Sequence, residues 1–111
     1  MADASRIDLL LGFLRDDPDD AFTRFALAQE YRKLGSLAEA IACFEALVED
    51  QPDYVGTYYH LGALYEETGR ADEARATYRS GIAVATRQGD AHARAELQSA
   101  LLAAEGLGFE D

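Results

Sequence analysis

The sequence predicts an all-α fold built from antiparallel helix pairs, and two observations support this prediction. A pattern of apolar, small and aromatic residues recurs with a period of 34 residues along the 111-residue chain. Its members Leu27, Ala28, Tyr31, Gly35, Ala40 and Phe44 return as Leu61, Gly62, Tyr65, Gly69, Ala74 and Tyr78. Apolar residues within each period follow helical spacing, and no stretch alternates apolar and polar residues over the length of a strand. Two short helices per period are therefore expected, and an array of such repeats is typical of a binding surface.

Length and composition are those of one ordinary globular domain. Hydrophobic residues make up 49% of the chain, yet every apolar run is far shorter than the about 20 residues that a membrane helix needs. We therefore expect no membrane span and a cytoplasmic location. Asp and Glu number 21 against 10 Lys and Arg, and the net charge of −11 predicts that nucleic acid is not a partner.

The basic residues are unusual in kind, because Lys33 is the single lysine beside nine arginines. Together with the excess of aspartate, this skew resembles that of proteins from salt-accumulating cytoplasms. A GC-rich genome with an ordinary acidic surface accounts for it equally well. Both interpretations stay open at this point.

Six helices follow from the apolar spacing, near residues 7–16, 20–34, 37–50, 54–68, 71–87 and 91–105. The expected organisation is a single domain over 1–111, with a half-repeat helix at 6–16, repeats at 21–54 and 55–88, a capping helix at 90–105 and a flexible tail at 106–111. Pro18 and Pro52 separate helices, because proline lacks an amide donor and disfavours helix in the preceding residue. Asp19 or Asp20, and then Asp53, are expected to be the N-caps of the helices that follow.

Gly35 and Gly69 are each expected to end the first helix of their repeat. After Gly35, Ser36 and Glu39 have the spacing of a capping box for the next helix. In the second repeat, Arg70 follows Gly69 at the position equivalent to Ser36. Arginine does not supply the same cap. The second turn is therefore expected to be the weaker of the two.

Both ends of the chain look like half a repeat. The first helix has Leu10, Phe13, Leu14 and Pro18 where the second helix of a repeat has Phe44, Leu47, Val48 and Pro52. The last helix loses the repeat pattern. We expect Leu97 and Leu101 to close the core, while His92, Glu96 and Ser99 face water.

The spacing of leucine, small residue, tyrosine, glycine, alanine, aromatic residue and proline resembles the tetratricopeptide repeat, fully over residues 21–88 and as half repeats over most of the rest. Small residues at Ala28, Ala40, Gly62 and Ala74 suit places where paired helices cross closely. Arg24 and Tyr58 stand where this family usually has tryptophan, which weakens a core contact. Thr86 replaces a proline, so the fifth helix is expected to run on to Arg87 before Gly89 ends it.

The resemblance implies a right-handed superhelix whose first helices line a concave groove that holds a peptide segment of another protein. It implies an adaptor or scaffold without catalysis. The groove residues expected in this frame are Phe22, Phe25, Gln29, Arg32, Lys33, Tyr59, His60, Ala63, Glu66 and Arg94, together with Glu67, Asp90, Ala93 and Leu97.

The expected groove is mixed in character, with aromatic, basic and acidic parts. These parts are the cluster of Phe22, Phe25 and Tyr59, the pair Arg32 and Lys33, and the pair Glu66 and Glu67. They favour a peptide with one or two apolar side chains and charges of opposite sign. The alternative is that Phe22 and Phe25 pack against the first helix. The clamp with which relatives grip acidic tails of heat-shock chaperones is not expected, because only Arg94 matches it.

Catalytic motifs are absent from the sequence, including HExxH, phosphate-binding glycine loops, GxSxG and CxxC. We therefore expect no enzyme activity, no cofactor and no metal site. His60 is interpreted as a groove or surface residue, and Cys43 as a thiol packed between helices. Homo-oligomerisation is the alternative function. It would use the terminal helices, or the tail at 106–111 lying in the groove of a neighbouring copy.

Overall fold

The computed structural model describes residues 4–106, and within that range it contains six helices and no strand. The helices are α1 (Ala4–Asp16), α2 (Ala21–Lys33), α3 (Leu37–Asp50), α4 (Gly56–Glu67), α5 (Ala71–Gln88) and α6 (Ala91–Glu105). Every boundary lies within three residues of its predicted place, which confirms the helix predictions. The predicted tail at 106–111 lies, apart from Gly106, outside the described residues.

Within the described residues the helices form two compact units, unit 1 with α1 to α3 and unit 2 with α4 to α6. In unit 1, α2 packs against both α1 and α3, and in unit 2, α5 packs against both α4 and α6. Three residues join α2 to α3, and three join α4 to α5. Such short connections make the joined helices antiparallel neighbours.

Apolar residues hold α1 against α2 in unit 1. The cluster consists of the buried Ile7, Leu10 and Leu27, with Leu14, Ala26, Tyr31 and Cys43 packed around them. This packing confirms the interpretation of Cys43 as a thiol between helices. Burial raises the pKa of the Cys43 thiol above its ordinary value, and the nearby Arg24 guanidinium opposes that rise.

Arg24 and Asp50 join α2 to the end of α3. Arg24 Nη2 donates to Asp50 Oδ2 at 2.9 Å, and only 15% of the arginine side chain is exposed. One period later Tyr58 is buried in its place. In unit 1 an ion pair therefore stands where unit 2 has aromatic packing.

Two glycines allow the helices of unit 2 to approach closely. A Cβ atom on Gly62 of α4 would be 2.3 Å from Tyr78 Cε1 of α5. One on Gly81 of α5 would be 2.6 Å from Tyr58 Cβ and 3.0 Å from Leu97 Cδ1. The predicted close crossing at Gly62 is confirmed, and Leu97 is buried in the core as expected.

Three helices end in the same glycine turn. Gly35, Gly69 and Gly89 have φ angles of +81°, +78° and +69°, in the left-handed region that glycine adopts without strain. After α2, the amide of Gly35 donates to Arg32 O and the amide of Ser36 to Tyr31 O, both at 2.9 Å. The equivalent two hydrogen bonds form at Gly69 and Gly89, so backbone groups satisfy these helix ends.

The capping box predicted at Ser36 is wrong. Ser36 occupies the N-cap position of α3, but its side chain makes no capping hydrogen bond. Its ψ of 70° falls short of the extended conformation typical of an N-cap, and serine has a shorter side chain than an aspartate cap.

The turn after α4 has a side-chain link of its own. Arg70 donates to both carboxylate oxygens of Glu73 at 2.7 Å and lies 4.6 Å from the centre of the Tyr65 ring. The hydrogen bonds from Arg70 hold the pKa of the Glu73 carboxyl below its ordinary value. The reason for expecting this second turn to be weaker therefore no longer holds.

The other capping predictions are confirmed in part. Asp20 is the N-cap of α2, because its carboxylate accepts from the Thr23 amide at 3.1 Å and from the Thr23 hydroxyl. Asp53 is not an N-cap. A turn in which the Tyr54 amide donates to Gln51 O at 3.1 Å delays α4, whose N-cap position is Val55. The prediction that α5 extends up to Gly89 is confirmed.

Candidate functional site

Tyr59 lines two cavities on the face that α4 and α6 present together in unit 2. The larger, of about 550 Å³, is bordered on α6 by His92, Ala95, Glu96, Ser99, Ala100 and Ala103. The smaller, of about 280 Å³, is bordered by Val55, Gly56, His60, Ala93, Glu96 and Leu97. Tyr59 itself stays 42% exposed, so a ligand in either cavity would reach its side chain. We name the residues around these two cavities the Tyr59 surface.

The polar groups of the Tyr59 surface are one carboxylate, two imidazoles and hydroxyls. The rings of Tyr59 and His60 meet edge to face, with centroids 5.5 Å apart. His92 Nε2 lies 3.4 Å from Glu96 Oε2, and both side chains are more than half exposed. The Glu96 carboxylate borders both cavities. The surface therefore offers an anionic acceptor beside an apolar floor.

The sequence predicted Tyr59 and His60 of α4 as groove residues, and it also predicted Ala93 and Leu97 of α6, which line the smaller cavity. His92, Glu96 and Ser99 of α6 were interpreted as the water-facing side of a cap, and these three side chains are indeed exposed. The sequence feature that could have predicted the α6 part is a row of small residues where the repeat pattern is lost. These residues are Ala95, Ser99 and Ala103. Small side chains on consecutive turns leave a shallow channel next to a tyrosine on the neighbouring helix.

The remaining expected groove residues of unit 2 do not line these two cavities, and they are Ala63, Glu66, Glu67, Asp90 and Arg94. Ala63 is half buried. Glu66 Oε2 accepts a hydrogen bond from the hydroxyl of buried Tyr78 at 2.5 Å, which ties the carboxylate to α5. Arg94 lines a separate cavity of about 110 Å³ at the turn between α5 and α6, together with Asp90.

The two expected groove aromatics of unit 1 differ in exposure. Phe22 is 69% exposed. Phe25 is half buried, because its ring packs edge to face on Phe44 with centroids 5.6 Å apart and lies 6.0 Å from the ring of Tyr54. Phe25 therefore contributes to the packing of unit 1, through α3 and the segment that follows it.

The expected polar groove residues of unit 1 lie near the end of α2. Gln29 and Arg32 are half buried, and Lys33 is exposed. Lys33 Nζ donates to Glu30 Oε2 at 3.3 Å, so a carboxylate already accompanies this cation.

Sequence reasoning missed Glu30, which is buried with 3% of its side chain exposed. Its Oε2 atom lies 3.2 Å from Arg6 Nε as well as near Lys33, and its Oε1 atom is buried without a hydrogen-bond partner. The repeat pattern could have indicated its burial, because the equivalent residue one period later is a leucine, Leu64. That leucine is fully buried.

Among residues 4–106, no group of three or more His, Cys, Asp or Glu side chains could hold a metal ion. No helix within that described range is long and apolar enough to cross a membrane.

The repeat pattern has matches among known proteins. A family model described as a tetratricopeptide repeat matches residues 25–91. A TPR repeat-containing protein of Pseudomonas aeruginosa is 30% identical over 79 residues, which cover 71% of this chain and 75% of that relative. The chain belongs to the tetratricopeptide repeat family. As a member of this family it falls in the class of protein-interaction repeats.

Solved structures of tetratricopeptide repeat domains share the fold. The solution structure of such a domain from Salinibacter ruber is 55% identical, covers 86% of this chain and 96% of its own, and has a TM-score of 0.79. PcrH, crystallised with the chaperone binding region of PopD, has a TM-score of 0.81 at 18% identity, with 93% of this chain and 81% of PcrH covered. The predicted family and the all-α, helix-pair fold class are confirmed.

Proposed function

We propose that this tetratricopeptide repeat domain is a non-catalytic adaptor or scaffold that binds a peptide segment of a partner protein on the Tyr59 surface. The observation that carries the proposal is the exposed side chain of Tyr59 beside cavities of about 550 and 280 Å³. Tyrosine is enriched at protein interfaces because it combines a large apolar ring with a polar end. A chain of the same fold, PcrH, is crystallised with a segment of another protein, which is in keeping with a peptide ligand.

The proposed peptide carries an apolar side chain next to a lysine or arginine. The apolar side chain would cover the alanines of α6 in the larger cavity, and burying one of ordinary size contributes about 1.5–3 kcal/mol. The cation would lie near Glu96, which borders both cavities. The net charge of −11 would steer a cationic segment toward this protein.

Unit 1 supplies a second set of proposed contacts. Phe22, Arg32 and Lys33 stay in this set, and the exposure of Phe22 supports its inclusion. Phe25 is a weaker member because its ring packs on Phe44. The cytoplasmic location and the salt-rich environment remain proposals, supported by the composition of the chain alone.

Affinity capture from a lysate of the source cell, at its native salt, tests the proposal. Three baits are compared: the wild-type chain, Tyr59→Ala and the control Leu102→Ala. Leu102 is 49% exposed on α6 and does not line the cavities beside Tyr59. A partner held by the wild type and the control but lost by Tyr59→Ala supports the proposed site. Equal retention by all three baits contradicts it.

A further inference from the structure

The helix α1 exposes an apolar stripe beside its packed side. Leu9 and Phe13, one helical turn apart, are 55% and 52% exposed. Ile7 and Leu10 lie on the packed side and are buried with Leu27 of α2. We name Leu9 and Phe13 the α1 stripe.

The repeat register explains why the α1 stripe is apolar. Phe13 precedes Leu47 and Gly81 by one and two periods, and both of those residues are buried. Gly81 lies against Tyr58 of the helix that precedes it. Within the described residues no helix precedes α1. Phe13 therefore lies at the place where a later repeat packs against its preceding helix.

Opposite charges flank the α1 stripe at matching distances. Arg6 lies one turn before Leu9, and Asp16 lies one turn after Phe13, so the four residues share one side of the helix. When two copies of α1 pair antiparallel about a two-fold axis, Leu9 meets Phe13 and Arg6 meets Asp16 of the second copy, each contact occurring twice.

Both flanking charges are accessible for such contacts. Arg6 Nε contacts Glu30, yet 57% of the arginine side chain remains exposed. Asp16 is exposed at the last residue of α1, where the helix dipole disfavours a carboxylate. A cation from a second copy would offset that unfavourable interaction.

From this arrangement we propose that two copies of the chain form a symmetric dimer through antiparallel pairing of α1, with the α1 stripes in contact and Arg6 of each copy beside Asp16 of the other. The dimer uses unit 1 alone and is independent of peptide binding on the Tyr59 surface. The net charge of −11 on each copy opposes association at low salt. Salt near 0.15 M shortens the screening length to about 8 Å and relieves much of that repulsion.

Sedimentation equilibrium of the full chain at that salt tests the dimer. The wild type is expected to pass from monomer to dimer as its concentration rises. Phe13→Glu places a charge in the stripe and is expected to raise the dissociation constant on the order of tenfold or more. Leu102→Glu adds the same charge at an exposed apolar residue of α6 and is expected to leave the constant unchanged. Circular dichroism checks that both variants keep their helix content, and Leu9→Glu replaces Phe13→Glu if the latter does not.

The variant Asp16→Arg separates this pairing from unspecific association. It makes each copy less negative by two charges and improves the end of α1, so unspecific association would strengthen. In the proposed pairing it brings a second cation next to Arg6 of the other copy, so the dimer is expected to weaken.

Four results would overturn the proposal. They are a wild type that stays monomeric at every concentration, a dimer that Phe13→Glu leaves intact, a dimer strengthened by Asp16→Arg, and a dimer lost on removal of residues 107–111. The last result would mean that the dimer forms because the tail of each copy binds to the other copy.

Discussion

Gly62 of α4 lies so close to Tyr78 of α5 that a Cβ atom on the glycine would be 2.3 Å from Tyr78 Cε1 and 2.7 Å from Tyr78 Cδ1. Real Cβ atoms do not approach a ring this closely, so any side chain at Gly62 must displace the buried tyrosine. The displaced ring also carries the hydroxyl that donates to Glu66. One contact therefore couples helix packing to a hydrogen bond at the end of α4.

Gly62→Ala is expected to lower the free energy of unfolding by up to about 2 kcal/mol, because overpacking a core costs about 1–3 kcal/mol. The cost exceeds the gain of about 1 kcal/mol that alanine brings to a helix interior. Chemical denaturation followed by circular dichroism measures the difference.

Gly12→Ala is the matched control. A Cβ atom there would meet only the flexible end of Arg15, at 3.4 Å. The helix propensity of alanine then dominates, and we expect a stability gain of up to about 1 kcal/mol. A loss at Gly12 as large as at Gly62 would show that the clash with Tyr78 is not the cause.

Glu30→Leu is expected to raise the free energy of unfolding by about 1–4 kcal/mol. The change removes a buried carboxylate with one unpartnered oxygen and restores the residue that the second repeat has at Leu64. Arg6 and Lys33 keep more than half of their side chains exposed, so water can solvate them. Glu49→Leu, at an exposed position of α3, is the control and should change stability by less than about 0.5 kcal/mol. A destabilised Glu30→Leu would mean that the ion pairs outweigh the cost of burying the carboxylate.

The Cys43 thiol is expected to react slowly with iodoacetamide at neutral pH. Burial raises its pKa, so the rate should climb with pH through a midpoint above the ordinary value of 9.0. The stability linked to this raised pKa is complete below the unfolded-state pKa and is lost as the pH rises through the folded-state value. In denaturant the midpoint should return to the ordinary value. A folded-state midpoint at or below that value would contradict the packing of Cys43.

Unfolding midpoints are expected to rise by several degrees between low and molar potassium chloride. The net charge of −11 is self-repulsive, and salt screens that repulsion. This outcome favours adaptation to a salt-rich cytoplasm over the GC-rich genome as the reason for the composition. A flat or falling midpoint would favour the genome explanation.

The fold was predictable because its determinants repeat. Gly62 and Tyr78 each have a counterpart one period earlier, in Ala28 and Phe44, and such periodic small and aromatic residues indicate helix crossings without any knowledge of the structure. The capping of α3 was not predictable. Ser36 satisfies the spacing of a capping box, but its hydrogen bond depends on backbone angles that differ by tens of degrees between neighbouring turn types.

The candidate site was predictable only in part. Tyr59 and His60 were expected from their helix face, and the two residues indeed border cavities. Phe25 has the same periodic signal as Tyr59, yet its ring packs on Phe44 and Tyr54, and no local pattern reveals contacts to residues so distant in sequence. Glu96 borders the larger cavity because of the way α6 packs in unit 2. The repeat pattern is lost in α6, so that pattern did not predict the position of Glu96.

Binding of the partner peptide on the Tyr59 surface is tested most directly by a chemical-shift titration. The captured partner's binding segment is added to the isotope-labelled chain, and amide shifts are followed residue by residue. The proposal predicts that the largest shifts fall on Tyr59, His60, His92 and Glu96, and that Tyr59→Ala abolishes saturation while Leu102→Ala does not. The proposed site would be contradicted if the largest shifts fell on the exposed residues of α5 while the residues around Tyr59 stayed unchanged.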